Sequence, residues 1–153
     1  MYQFLIGKAL GKMSQVQVNW LGGQLQDAAT NELHVIIFIH TPPIQVDRFK
    51  RENKFSDSLT IERCSNLAFL ADLVDAFINK ETATFTYDGN NYSFSFSQKG
   101  HFVSWICGHQ HGDLCGWMEG HENQFVSIVC RPYADSSKYG GSYDGDKLGV
   151  HWN

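Results

Sequence analysis

The apolar run Val35–Ile39 restricts the possible folds of this chain more than any other feature. Four of its five residues are β-branched, and apolar residues at successive positions are typical of a strand that is covered on both faces. Thr41-Pro42-Pro43 ends the run, because proline cannot donate to a β-ladder. The sequence therefore predicts a buried strand over residues 33–40 that fixes His40 at its end. A functional role for His40 and a simple hydrogen bond to a loop carbonyl both remain open.

A second strand leads into a group of polar side chains. Phe102–Cys107 is mostly β-branched or aromatic and is followed by Gly108, His109, Gln110, His111, Gly112 and Asp113. If this segment is extended, His109 and His111 project to the same side. Imidazole is the commonest metal ligand, and Asp113 is a further ligand or orients a ring. The pattern predicts a metal or phosphate site; a polar loop whose histidines cap backbone groups is the alternative. His101 and His121, which flank this segment, are expected to be exposed loop histidines; the alternative is that they line the same cleft.

Composition narrows the class of protein. A chain of 153 residues with 42% hydrophobic and 14% aromatic residues is expected to form a single globular domain. The net charge of −4 and the scattered lysines and arginines argue against a nucleic-acid surface. No apolar run reaches membrane-spanning length, and no signal peptide is recognised. Four cysteines without a C-x-x-C pair argue against a zinc ribbon, and we expect reduced thiols and a cytoplasmic protein.

The remaining pattern predicts an alternation of helices and strands. The expected regular elements are a helix capped by Ser14 and ended by Asn31, a helix with an apolar stripe from Leu67 to Ile78, a hairpin over residues 82–96 around Asp88-Gly89-Asn90, and a strand over residues 124–130. The expected irregular segments are an N-terminal arm or short helix over residues 1–13, a solvated loop or short helix over 47–60, and a loop over 136–147. Residues 14–153 are then one α/β domain.

Strand-His40-Thr-Pro-Pro, followed by strand-Gly108-His109-Gln110-His111, resembles the C-terminal half of the calcineurin-like metallophosphoesterases of bacterial and phage type. The resemblance covers residues 14–153. It implies a mixed α/β fold with β-sandwich layers flanked by helices and a metal centre at the strand ends. It also implies that His40, His109 and His111 are metal ligands in a hydrolase that cleaves a phosphate ester with a metal-bound hydroxide. Asp113 completes the candidate catalytic set.

Three motifs that precede this half in the family are missing from the sequence: Asp-x-His, Gly-Asp-x-x-Asp and Gly-Asn-His. Without their carboxylates, three neutral imidazoles are expected to hold at most one divalent ion (manganese, zinc, iron or nickel), where the full family site holds two. We therefore expect a truncated or incomplete phosphoesterase. The alternatives are a non-catalytic metal-binding or interaction module and a structural β-rich protein. Expected partners are a phosphate-ester substrate and either a second copy or a complementing N-terminal half that covers an exposed sheet face.

Overall fold

The fold is organised by a six-stranded sheet. The computed structural model describes residues 2–6, 12–44, 46–48, 67–108 and 114–128. The helices are α1 (Gln15–Thr30) and α2 (Phe69–Asn79). The strands are β1 (Tyr2–Ile6), β2 (His34–Ile39), β3 (Val46–Arg48), β4 (Thr82–Tyr87), β5 (Asn90–Ser95), β6 (His101–Cys107), β7 (Leu114–Met118) and β8 (His121–Ile128).

Four strands of the large sheet are parallel. Its order is β1-β2-β6-β8-β7-β3, with β1, β2, β6 and β8 parallel and with β7 and β3 added in antiparallel fashion. β4 and β5 form a separate antiparallel hairpin. The expected α/β class is thus confirmed at the level of a mixed α/β protein. Among the described residues, no helix is long and apolar enough to cross a membrane.

The two helices lie between the large sheet and the hairpin. α1 contacts β2 and β5, while α2 contacts β6 and β8 on one side and β4 on the other. Burial on two sides explains why most of α2 is apolar, with seven of its residues buried. In the described residues the helices are therefore a middle layer, whereas the resemblance implied helices on the outside of a sandwich.

Local sequence signals set the ends of the helices. The Ser14 side chain accepts a hydrogen bond from the Gln17 amide, and the Gln17 side chain accepts one from the Ser14 amide. This reciprocal capping box confirms Ser14 as the N-cap, and Asn31 is the C-cap as predicted. α2 ends at Lys80, whose φ of 65° is left-handed.

The central strands and the hairpin also lie where the sequence predicted them. β2 and β6 occupy the two apolar runs, and β4 and β5 flank a turn at Asp88-Gly89, which have φ values of 49° and 76°. Positive φ at both central residues is typical of the tight turns that match the strand twist. The hairpin is tied to the start of α1, because the Met13 amide donates to the Tyr87 hydroxyl at 2.8 Å.

Three short strands were not predicted. Residues 2–6 form β1, in parallel register with β2, where an irregular arm or short helix was expected. Residues 46–48 form β3 within a segment expected to be a loop or short helix, and β7 had no predicted counterpart. Each is five residues or fewer, and β1 and β3 are the edge strands of the sheet. A strand of this length is defined by its neighbour rather than by its own pattern. The predicted segments over residues 49–60 and 136–147 lie outside the described residues.

Gly22 allows the hairpin to pack closely against α1. A Cβ atom at this position would overlap the ring of Phe94, which β5 presents to the helix. Phe94 is buried and packs near the rings of Phe85 and Tyr92. The neighbouring Gly23 has no atom within 4 Å of the equivalent position. One glycine of the pair is therefore required by packing, while the other weakens the helix without such a contact.

The two glycines give a matched pair of substitutions. We expect Gly22→Ala to lower the free energy of unfolding by about 1–2 kcal/mol, because overpacking outweighs the gain in helix propensity. Gly23→Ala should raise it by up to about 1 kcal/mol. Urea unfolding followed by circular dichroism measures both changes. Equal stabilisation by the two substitutions would contradict the close packing of Phe94 on α1.

Candidate functional site

The carboxyl ends of β2 and β6 meet at one edge of the sheet. The two strands are parallel neighbours, and their last residues, Ile39 and Cys107, are paired. His40 directly follows β2 and is exposed, and Gly108 directly follows β6. The Gly108 amide donates to the His40 carbonyl oxygen at 2.8 Å. The predicted His40 position and the start of the Gly108-His109-Gln110-His111 motif are thus joined by a backbone hydrogen bond.

The other predicted site residues are His109, His111 and Asp113, and they lie outside the described residues. The site hypothesis therefore depends on His40 and on the position of Gly108. Within the described segments, no three His, Cys, Asp or Glu side chains are grouped in a way that could hold a metal ion.

Cys107 is next to this edge but is unsuited to act as a ligand or nucleophile. Its side chain is buried on β6, and burial strongly raises the pKa of its thiol above the ordinary value. Since the thiolate is the form that binds metals and attacks electrophiles, the buried thiol has little of either reactivity. Cys107 therefore acts as a small buried hydrophobic residue.

A second polar arrangement connects α2 to the sheet. His121, the first residue of β8, has its Nδ1 atom 2.5 Å from an Asp75 carboxylate oxygen. The other Asp75 oxygen accepts a hydrogen bond of 2.7 Å from the Gln124 amide, which also donates to the Ala71 carbonyl. Gln124 in turn accepts from the Trp105 indole at 2.9 Å. The chain of hydrogen bonds therefore links α2, β6 and β8.

Burial makes this network important for packing. Gln124 and Trp105 are fully buried, and the His121 side chain is 15% exposed. His121 was expected to be an exposed loop residue, so that prediction is wrong. No sequence signal joins Asp75 to His121, because their contact exists only when α2 packs on β8. Of the residues in this network, only Gln124 carries a signal in the sequence, because it is a polar residue directly before the apolar strand residues Phe125 and Val126.

The amino ends of the parallel strands carry another pair of histidines. His34 begins β2 and His101 begins β6, and the two residues are direct partners in the parallel register. Their rings stack with centroids 5.0 Å apart and an interplanar angle of 19°. His101 was predicted to lie in an exposed loop; it is exposed, but it lies in a strand. This pair is at the opposite edge of the sheet from His40.

These features define a mixed α/β protein with imidazole side chains at both ends of the parallel strands of its large sheet. Comparison of the chain with protein-family models, with curated proteins and with solved structures found no match. The functional argument therefore depends on the arrangement of the residues themselves.

The Gln124 network gives a testable contribution to stability. We expect Gln124→Leu to lower the free energy of unfolding by about 1–3 kcal/mol, because the buried Trp105 indole N–H loses its acceptor. Asn123→Leu, at the exposed neighbouring position, should change stability by no more than about 0.5 kcal/mol. Chemical denaturation of both variants measures the difference. A Gln124→Leu variant as stable as the Asn123→Leu variant would contradict the role given to the network.

Proposed function

We propose that this chain is part of a metal-dependent phosphoesterase, with its metal site at the carboxyl ends of β2 and β6. The observation that carries the proposal is the 2.8 Å hydrogen bond from the Gly108 amide to the His40 carbonyl. It puts the residue before His109 directly beside His40. Ligands of open α/β sheets bind outside the carboxyl ends of parallel strands, and His40 and Gly108 lie at these ends of β2 and β6.

The donor set suits one metal ion. His40, His109 and His111 would supply three neutral imidazole nitrogens, the ligand number of many catalytic zinc sites. Asp113 would act as a fourth ligand or as an acceptor for an imidazole N–H, which fixes the ring orientation. Two dications held about 3.5–4 Å apart need anionic ligands between them, and the three imidazoles supply none. Zinc, nickel and iron suit imidazole, whereas manganese favours oxygen ligands.

The chemistry expected at such a site is limited by what the residues can do. A bound divalent ion acts as a Lewis acid and lowers the pKa of water to about 7. His40, fixed between β2 and Pro42-Pro43, would hold one side of the site rigidly. Asp113 would accept a proton or orient an imidazole. The proposed substrate is a phosphate ester. The arrangement of the motifs resembles that in the bacterial and phage metallophosphoesterases.

A non-catalytic metal-binding or interaction module is the second candidate. The observation that favours it is the absence from the sequence of Asp-x-His, Gly-Asp-x-x-Asp and Gly-Asn-His. A chain that keeps the imidazoles but lacks these acidic groups would bind an ion without efficient turnover. The two candidates make the same prediction for metal binding and opposite predictions for hydrolysis.

Metal content tests the common part of both candidates. After dialysis against trace Zn²⁺, we expect His109→Ala/His111→Ala to contain one metal equivalent less than the parent chain, measured by elemental analysis. His121→Gln, which removes an imidazole already held by Asp75, is the control and should keep the parent's metal content. Equal metal content in the parent and in His109→Ala/His111→Ala would refute the proposed site.

Turnover of an aryl phosphate with added Zn²⁺ or Mn²⁺ then separates the two candidates. Activity in the parent that is lost in His109→Ala/His111→Ala supports the phosphoesterase. Metal binding without measurable activity supports the non-catalytic module.

The proposal includes a partner for one face of the sheet. On β2, Val35, Ile37 and Ile39 are buried toward the helices, while the alternating Ile36 and Phe38 are only partly buried. Trp117 on β7 is 38% exposed. Parallel sheets are normally covered on both faces, so this side would be covered by a second copy or by a complementing half that carries the acidic motifs.

Self-association is the simpler of these two arrangements to test. We expect the chain to sediment as a dimer in analytical ultracentrifugation, because pairing would remove partly exposed apolar side chains from water. Trp117→Lys should shift the population toward monomer, while Val16→Lys, at an exposed position on α1, should not. A monomer at high protein concentration would exclude the second copy and favour the complementing half.

A further inference from the structure

The amino-terminal edge of the large sheet presents two neighbouring imidazoles. His34 and His101 begin adjacent parallel strands and are register partners. Their ring centroids are 5.0 Å apart. Both side chains are exposed, and their backbones belong to a continuous ladder. The two rings are therefore close, accessible to solvent and carried by a rigid scaffold.

Within the described segments, the ring nitrogens of His34 and His101 have no hydrogen-bond partner. In the part of the chain that the structure describes, the contact of either ring is the stack with the other, and neither imidazole takes part in a hydrogen bond or ion pair. His121 differs, because its Nδ1 atom is held by Asp75. Two neutral imidazoles with unpartnered nitrogens are a ligand set that borderline transition metals prefer.

We propose that His34 and His101 together chelate a divalent transition-metal ion. Zinc–nitrogen bonds of about 2.0–2.1 Å put two nitrogens of a tetrahedral ion about 3.3 Å apart. The rings are stacked with an interplanar angle of 19°, and their in-plane nitrogen lone pairs do not converge in that orientation. Metal binding therefore requires the exposed rings to rotate about their side-chain bonds and open the stack, which the 5.0 Å centroid separation leaves room for. Water completes the coordination, since the described residues supply no third ligand nearby. The bound ion ties the start of β2 to the start of β6.

This site is separate from the one proposed at the carboxyl edge. His34 and His40 are at opposite ends of β2, and a strand that rises about 3.3 Å per residue separates them by about 20 Å. No ligand can be shared over that distance. The proposal does not depend on the phosphoesterase function, and either can fail alone.

Cu²⁺ is the probe that distinguishes imidazole ligands, because nitrogen coupling appears in its electron paramagnetic resonance spectrum. The triple variant His40→Gln/His109→Gln/His111→Gln lacks the candidate ligands at the carboxyl ends of β2 and β6. It is the background protein into which the other substitutions are introduced. In this background we expect one equivalent of Cu²⁺ with nitrogen coupling. Adding His34→Gln/His101→Gln should abolish it, whereas adding His121→Gln should leave it unchanged. Circular dichroism establishes that each variant is folded.

Thermal unfolding gives a second readout that does not depend on spectroscopy. Because the ion binds the paired strands and not the unfolded chain, Zn²⁺ should raise the Tm of the background protein. The same Zn²⁺ concentration should leave the Tm of the His34→Gln/His101→Gln variant unchanged.

Three results would overturn the two-histidine site. The first is nitrogen coupling that survives His34→Gln/His101→Gln, which would put the ion elsewhere. The second is a single His34→Gln substitution that leaves Cu²⁺ affinity unchanged, since chelation needs both rings. The third is binding that requires millimolar Cu²⁺, which would mark the ion as adventitious.

Discussion

Parallel pairing of β2 with β6 is the constraint on which the rest of the fold depends. It aligns two apolar strands in one register, with Ile39 beside Cys107 at one end and His34 beside His101 at the other. The helices pack on the buried side of these strands, and β1 and β8 extend the sheet on either flank. His34, His40 and His101 each lie where one of these two strands begins or ends.

The helices, the hairpin and the two central strands could be predicted because each has a signal within its own sequence. Ser14 and Gln17 cap α1 reciprocally, and Asp88-Gly89 fits a tight turn between alternating strands. β1 and β3 could not be predicted in the same way, since they pair with strands distant in sequence. β7 pairs with β8, the next strand along the chain, and the turn at Gly120 between them is a local signal that could have predicted it. The position of the helices as a middle layer depends on tertiary packing. The close contact of Phe94 with Gly22 is part of that packing, and neither residue predicts it from its own sequence neighbours.

In the candidate site too, positions set by local sequence could be predicted, and contacts between distant segments could not. The position of His40 follows from an apolar run that ends in Thr41-Pro42-Pro43, so the sequence was sufficient to predict it. Its proximity to Gly108 required the order of the strands, which no local pattern contains. The sequence could not predict the contact between His121 and Asp75, because that contact depends on how α2 packs on β8. Side-chain roles at strand ends were thus more predictable than roles at interfaces between layers.

The connectivity of the sheet has a consequence for the order in which the chain folds. The β4–β5 hairpin joins residues that are near in sequence, whereas His34 pairs with His101 across most of the central part of the chain. Closing a long connection costs entropy before the resulting contacts repay it, so parallel pairing is intrinsically slow. We expect the hairpin to form early and the β2–β6 ladder to limit the folding rate. Until that ladder closes, the apolar strand Val35–Ile39 is exposed to other chains, and this interval is the period of greatest risk of aggregation.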